Sequence, residues 1–241
     1  MIGSFIALEG PDGVGKSTLA ARLGTEDYTT AVAGLKNPES TRRRLVFVSR
    51  RQISATSDYS ATLMKQLATM LWHSGDAPDL PDGFWVSLQA AWFTAHATTV
   101  LDPLLTAGYD VIVDGWVYKF FSKLLLQGYT EPELAAMFGR VRMPDAVVLL
   151  TADVGALYDR RHAEFRLAEL GMHAGYPALG RATFVDYQQR GLGRLLSLAR
   201  KNSWSTVPLE AGAPVEDCLS LLRPLVAGLR AEATRRPTDP A

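Results

Sequence analysis

The run Gly10-Pro-Asp-Gly-Val-Gly-Lys-Ser17 constrains this chain more than any other feature. It fits G-x-x-x-x-G-K-[ST] and stands between an apolar run, FIAL, and a segment of helical period, STLAARL. A strand that turns sharply into a helix through glycines is a cradle for phosphate: backbone N–H groups converge on the oxygens, and the helix adds the positive end of its dipole. A chance match in a chain of this length is on the order of one in a hundred from average residue usage. The bland alternative is a plain turn. In the phosphate reading Gly10, Asp12, Gly13, Val14, Gly15, Lys16, Ser17 and Thr18 surround the phosphates of ATP, Lys16 reaching the β- and γ-phosphates and Ser17 ligating Mg²⁺.

Such a loop belongs in a parallel sheet covered by helices, and the chain alternates accordingly. Apolar runs predict strands near 4–8, 29–34, 109–114, 146–151 and 204–208. Helical periods lie near 15–23, 58–72, 84–107, 117–127, 154–170, 182–201 and 214–232. No repeat of 20 to 50 residues suggests a solenoid. A single domain over 1–232 is expected, with 233–241, which holds two prolines, as a loose tail. Val111-Ile-Val-Asp114 is an apolar strand ending in a carboxylate, which suits the second acidic element of a phosphate-loop enzyme; taken alone, Asp114 is equally an ordinary helix cap. With the loop, it becomes the second Mg²⁺ ligand.

Lysine plus arginine equals aspartate plus glutamate at 25 each, so no overall positive field exists to hold nucleic acid or an anionic membrane. Any anion must be gripped locally, and the expected partner is a small-molecule acceptor; a homodimer is left open. The single cysteine, Cys218, cannot form an internal disulfide, and no Cys/His cluster has zinc spacing, which suits a reducing cytosol. The first apolar run lacks the basic flank of a signal peptide, and 87–105 is interrupted by Gln89, His96 and Asp102, too polar for a membrane span. A soluble, cytoplasmic protein is expected.

The order of motifs resembles the thymidylate kinase family of nucleoside monophosphate kinases. FIALEGPDGVGKSTLA is similar to that family's opening strand and loop, including Glu9 and Asp12, and LDPLLTAGYDVIVDGW to its helix and strand before an Asp-Arg-Tyr element. MPDAVVLLTADVGALYDRR is similar to the strand before the lid, and FVDYQQRGLGRL to the helix after it. The resemblance covers most of residues 1–230 and is weak over 40–85. It implies a P-loop kinase fold, a five-stranded parallel sheet with helices on both faces and a short mobile lid at about 159–180. It also implies transfer of the ATP γ-phosphoryl group with Mg²⁺. Family members without an arginine in the loop use lid arginines; position 13 here is Gly, so Arg160, Arg161 and Arg166 are implied to neutralise the transferring group or to stack on adenine. An Arg-rich stretch is otherwise a solvated helix face.

The acceptor side departs from the family. Lys36-Asn37-Pro38 stands for the Arg-Glu-Pro element expected after the second strand. An alignment anchored on His96 puts Gln89 and Phe93 where the family has a stacking aromatic and a phosphate-binding arginine; a shift of one residue substitutes Trp92. Asp114-Gly115-Trp116 replaces Asp-Arg-Tyr. At most one positive charge remains, and a buried acceptor phosphate so poorly compensated costs several kcal/mol. Arg42, Arg43, Arg44, Arg50 and Arg51 could form a new clamp, although clustered arginines are more often solvated. The acceptor pocket is thus expected from Glu9, Asp12, Lys36, Gln89, Trp92, Phe93, Asp114 and Trp116. Trp85, Trp92, Phe93 and His96 also share a core-facing helical period, and Lys119 reads first as a surface lysine. The expected activity is ATP-dependent phosphorylation of a hydroxyl on a non-nucleotide small molecule: a sugar, aminocyclitol or amino sugar. The alternatives are a thymidylate or related monophosphate kinase with an atypical clamp, and a slow ATP-hydrolysing switch.

Overall fold

The computed structural model describes residues 2–35, 44–54, 56–72 and 80–235. Strands β1 (Phe5–Glu9), β2 (Leu45–Val48), β3 (Asp110–Val113), β4 (Ala146–Thr151) and β5 (Ser205–Pro208) form one sheet in the order β2-β3-β1-β4-β5, every pair parallel. Helices α1 (Lys16–Leu23), α2 (Tyr28–Gly34), α3 (Asp58–Trp72), α4 (Asp82–His96), α5 (Asp102–Thr106), α6 (Val117–Leu126), α7 (Glu131–Phe138), α8 (Val154–Arg161), α9 (Arg181–Lys201) and α10 (Val215–Arg235) flank it. β1 is central and wholly buried, and side chains alternate across it. Phe5 and Ala7 join one apolar cluster with Val111, Trp92 and Phe93, while Ile6 and Leu8 join another with Ile112, Leu150 and Leu219. At the amino edge, buried Asp110 accepts from Ser4 N (2.8 Å), Ser4 Oγ (2.7 Å) and Arg230 Nε (2.7 Å), which pins α10 to the sheet.

Four of the five expected strands are present, and the exception bears on function. Residues 29–34 form α2, because Asp27 accepts the Thr30 amide (3.0 Å) and so caps a helix start in a stretch whose Thr and Val suggest a strand. The second strand is instead the four-residue run Leu45–Val48, whose apolar signal is short and follows a basic cluster. The residues at its carboxyl end are therefore Ser49, Arg50 and Arg51, and Lys36-Asn37-Pro38 precedes the strand; Lys36, Arg42 and Arg43 lie outside the described residues.

α7 also escapes the apolar pattern, although Thr130 and Glu133 form a capping box, with Thr130 N donating to Glu133 Oε2 at 2.7 Å. The helix expected over 84–107 widens to a π-helical turn at Ala97–Leu101 before α5, just ahead of Pro103, whose ring does not tolerate regular α spacing. The helix expected over 154–170 stops at Arg161 and gives way to short turns, and α10 runs three residues into the expected tail. No helix among the described residues is long and apolar enough to cross a membrane.

Candidate functional site

In an open parallel sheet, ligands bind beyond the carboxyl ends of the strands, where the strand order reverses. Here that place lies beyond β1, and the Gly10–Ser17 loop occupies it, running into the amino end of α1. Positive φ at Gly10, Gly13 and Gly15 (147°, 84° and 100°) curls the loop, a conformation that other residues adopt only with strain. Lys16 is folded back over it, Nζ donating to Gly10 O (2.8 Å) and Pro11 O (2.7 Å). Burial, and then the Lys119 ammonium, push the Lys16 amine down to about 8, against the pull of Asp12, Glu9 and Asp114. Ser17 Oγ donates to Asp114 Oδ2, so the two expected metal ligands, from the first turn of α1 and the loop after β3, meet. A hydroxyl beside a carboxylate fits Mg²⁺, which takes few protein ligands and keeps water and phosphate oxygens for the rest. Among the described residues no group of three His, Cys, Asp or Glu side chains offers another metal site.

Asp12 anchors a network that the sequence pattern does not reveal. Its Oδ2 accepts from Gln188 Nε2 (2.9 Å), its N–H donates to Gln188 Oε1 (3.1 Å), Lys119 Nζ donates to Oδ1, and Lys123 Nζ stands 3.8 Å from Oδ2. Burial opposes the charge on Asp12, yet Lys119, Lys123 and Lys16 outweigh it and hold the carboxyl below the usual range. Lys119 thus points into the site and is no surface lysine. Its spacing from Lys123, one turn along α6 after the acidic strand end, was the available signal.

Glu9 is fully buried. Its Oε1 accepts the Trp116 amide (2.9 Å), and Oε2 has no partner among the described residues. Gly115, where the family resemblance asks for arginine, has φ +121°, so the backbone itself selects glycine there.

The apolar candidates face inward. Trp92 (1% exposed) packs edge-on to Trp72, and Phe93 meets Trp116, Phe120 and Phe138; Trp116 donates Nε1 to Arg142 O (2.8 Å). They are core residues that back the site. Gln89 has a buried Oε1 without a partner among the described residues. Arg44 pairs with Glu26 (2.9 Å) at the start of β2, the edge of the sheet away from the loop, which removes it from any clamp; Arg50 covers the Trp72 ring at 5.5 Å.

The three arginines expected in a lid separate. Arg160 donates Nη2 to Gly13 O (2.6 Å), Arg161 is paired with Glu164, and the Arg166 side chain is exposed. Arg160 and Arg161 also border a cleft of about 190 Å³ lined by Val14, Thr18, Leu209 and Ala211. The segment expected as a lid is held down: Phe165 packs on Phe184 (centroids 4.3 Å) and against Gly13, where an added Cβ would meet the ring at 2.9 Å, and Gln188 Nε2 reaches Glu169 O (2.9 Å). Phe165→Ala is expected to release it, read as faster proteolysis between Arg166 and Gly180; an unchanged cleavage rate would show that the ring does not hold the segment.

His96 is buried with neither ring nitrogen hydrogen-bonded among the described residues, and burial pushes its pKa down to about 4, partly offset by the backbone of Ser49 and Gln52 and by Asp114. Burial pushes Glu9 up to about 7. The two act oppositely on stability. Glu9 binds its proton more tightly when folded, so its contribution is complete below about pH 4.5 and lost as pH rises towards 7. His96 binds its proton less tightly when folded, so its contribution is complete above about 6.5 and lost as pH falls towards 4. The slopes offset each other between about 4.5 and 6.5. Glu9→Gln is therefore expected to expose a fall in stability from pH 6.5 to 4.5, on the order of 3 kcal/mol, in denaturant midpoints. A variant profile identical to that of the parent would mean that Glu9 does not titrate in this range.

No protein-family model matches the chain, and no curated protein matches it.

Proposed function

We propose that the protein is an ATP-dependent phosphotransferase acting on a hydroxyl of a non-nucleotide small molecule. The observation that carries this is the meeting of Ser17 and Asp114 beside a buried Lys16, in a glycine loop that opens a helix at the carboxyl edge of a parallel sheet. Loop amides and the α1 amino end would bind the β- and γ-phosphates, and Lys16 would turn from the Gly10 and Pro11 carbonyls towards them. Ser17 and Asp114 would hold Mg²⁺, which when bound supplies positive charge to the phosphate oxygens. Asp114 would orient the acceptor hydroxyl and take its proton, and Arg160, already over Gly13, would steady charge on the transferred group. The cleft between Val14 and Ala211 suits the adenine ring.

Two features support a non-nucleotide acceptor. Trp92 and Phe93 are committed to the core, so they offer no open ring on which a base could stack, and Gly115 leaves no side chain where an arginine would reach a phosphate. Among sugars, aminocyclitols and amino sugars, the aminated ones lose ground, because Asp12 is already paired. A second reading, a thymidylate or related monophosphate kinase, draws support from Arg50 and Arg51 at the end of β2 and from Lys119 and Lys123. ADP release measured with Mg²⁺-ATP across nucleoside monophosphates, sugars and amino sugars separates the two. A kcat/KM for thymidylate of about 10⁴ M⁻¹s⁻¹ or above would sink the non-nucleotide reading, and ATP hydrolysis indifferent to every acceptor would favour a switch.

A further inference from the structure

Lys119 and Lys123 lie one turn apart on α6 and bring two ammonium groups to a single carboxylate, Asp12. Like charges at that spacing destabilise a helix, and both side chains are largely withdrawn from water, 25% and 22% exposed. One lysine suffices to neutralise Asp12, so the second charge has no carboxylate of its own among the described residues. Lys123 also rests over the Tyr187 ring at 5.1 Å, which holds it facing the loop instead of letting it extend into solvent. Lys16 does not cancel against this set, because bound phosphates would engage it. Glu9, fully buried with one oxygen unpartnered, is a poor source of compensating negative charge at neutral pH, since burial pushes its pKa up to about 7.

With nucleotide in place, the surface beside Asp12 is thus left with a surplus positive charge, half-sheltered from water, at the edge of the loop. A ligand anion placed there gains a charge-assisted bond where the dielectric is low. We infer that the acceptor is itself an acid, and that Lys119 and Lys123 hold its carboxylate or phosphate while a separate hydroxyl meets Asp114. The inference rests on the phosphotransferase reading and narrows it. Neutral polyols and aminated sugars leave the surplus unanswered, and an amine would meet two ammonium groups. Lys119 and Lys123 are then specificity-determining residues, their two charges shared between Asp12 and the acceptor's acid group.

The test uses the full chain, with and without Mg²⁺ and a non-hydrolysable ATP analogue, titrated calorimetrically with two matched sets. One set is glycerol, serinol, glycerate and glycerol 3-phosphate; the other is glucose, glucosamine, gluconate and glucose 6-phosphate. Thymidylate is added as a further arm. Acid-bearing members are expected to bind, the carboxylate and phosphate arms showing which acid is preferred. Lys119→Met and Lys123→Met should each weaken that binding about tenfold or more, while affinity for the ATP analogue stays within about twofold. Lys119→Arg, which keeps the charge, should restore most of it. Binding only of neutral or aminated members, no binding of any acid, or acid binding untouched by both substitutions overturns the inference and leaves the phosphotransferase reading standing. A loss of ATP-analogue affinity in the two variants also overturns it, by assigning the lysines to nucleotide. Failure of the analogue to bind the parent protein brings down the phosphotransferase reading and this inference with it. Thymidylate binding tighter than every other ligand removes the non-nucleotide reading on which the inference stands.

Discussion

Lys16→Ala is expected to lower phosphoryl transfer by about 100-fold or more while the chain stays folded. Among the described residues the Lys16 ammonium donates to the Gly10 and Pro11 carbonyls of its own loop and to no other group. Its removal therefore deletes charge expected to meet the phosphates and no hydrogen bond to another element. Asp12 retains Lys119, Lys123 and Gln188, so the neighbouring network keeps its partners. Steady-state ADP release, with circular dichroism to verify the fold, checks both halves; turnover close to that of the parent would sink the assignment of the loop to phosphate.

The second large effect is on stability. Trp92→Ala is expected to cost about 3–5 kcal/mol, the range for truncating a buried large aromatic. Trp92 is among the largest fully buried side chains, edge-on to Trp72 and beside His96, between α3 and the sheet. Against a usual total of about 5–15 kcal/mol the loss is a large share, and in a chain of this length it lowers Tm by on the order of 10 °C. Scanning calorimetry reads it directly. A variant with parent-like Tm and a raised KM for the acceptor would show instead that the ring lines the pocket.

Much of the fold was legible because β1, β3 and β4 are continuous apolar runs, which strands buried on both faces require. β2 was not, because four residues carry little signal, and Thr29, Thr30 and Val32 sit in a helix that Asp27 caps. That displacement matters to function, since it puts Arg50 and Arg51, already candidates for a clamp, directly after the second strand and Lys36 ahead of it. The Ser17–Asp114 pair was legible from the local chemistry of each residue. The Asp12 network was not: it joins residues 12, 119, 123 and 188, on the loop, α6 and α9, and only the tertiary packing brings α9 against α6. Gly115 was read as a lost arginine, whereas its φ of +121° makes glycine the residue that this turn needs.

The parallel sheet places its first strand in the middle, and this has a consequence for how the chain is made. β1 pairs with β3 and β4, whose contacts with its first residues span 106 and 140 positions, so β1 has no neighbour in the sheet until β3 has been made and lacks its second until β4 has. Sheets built from such distant pairings assemble slowly. Until then FIAL is an unpaired apolar segment, which makes capture by a chaperone or by another nascent chain a competitor of folding. The loop that carries Lys16 is therefore made well before the strands that flank it.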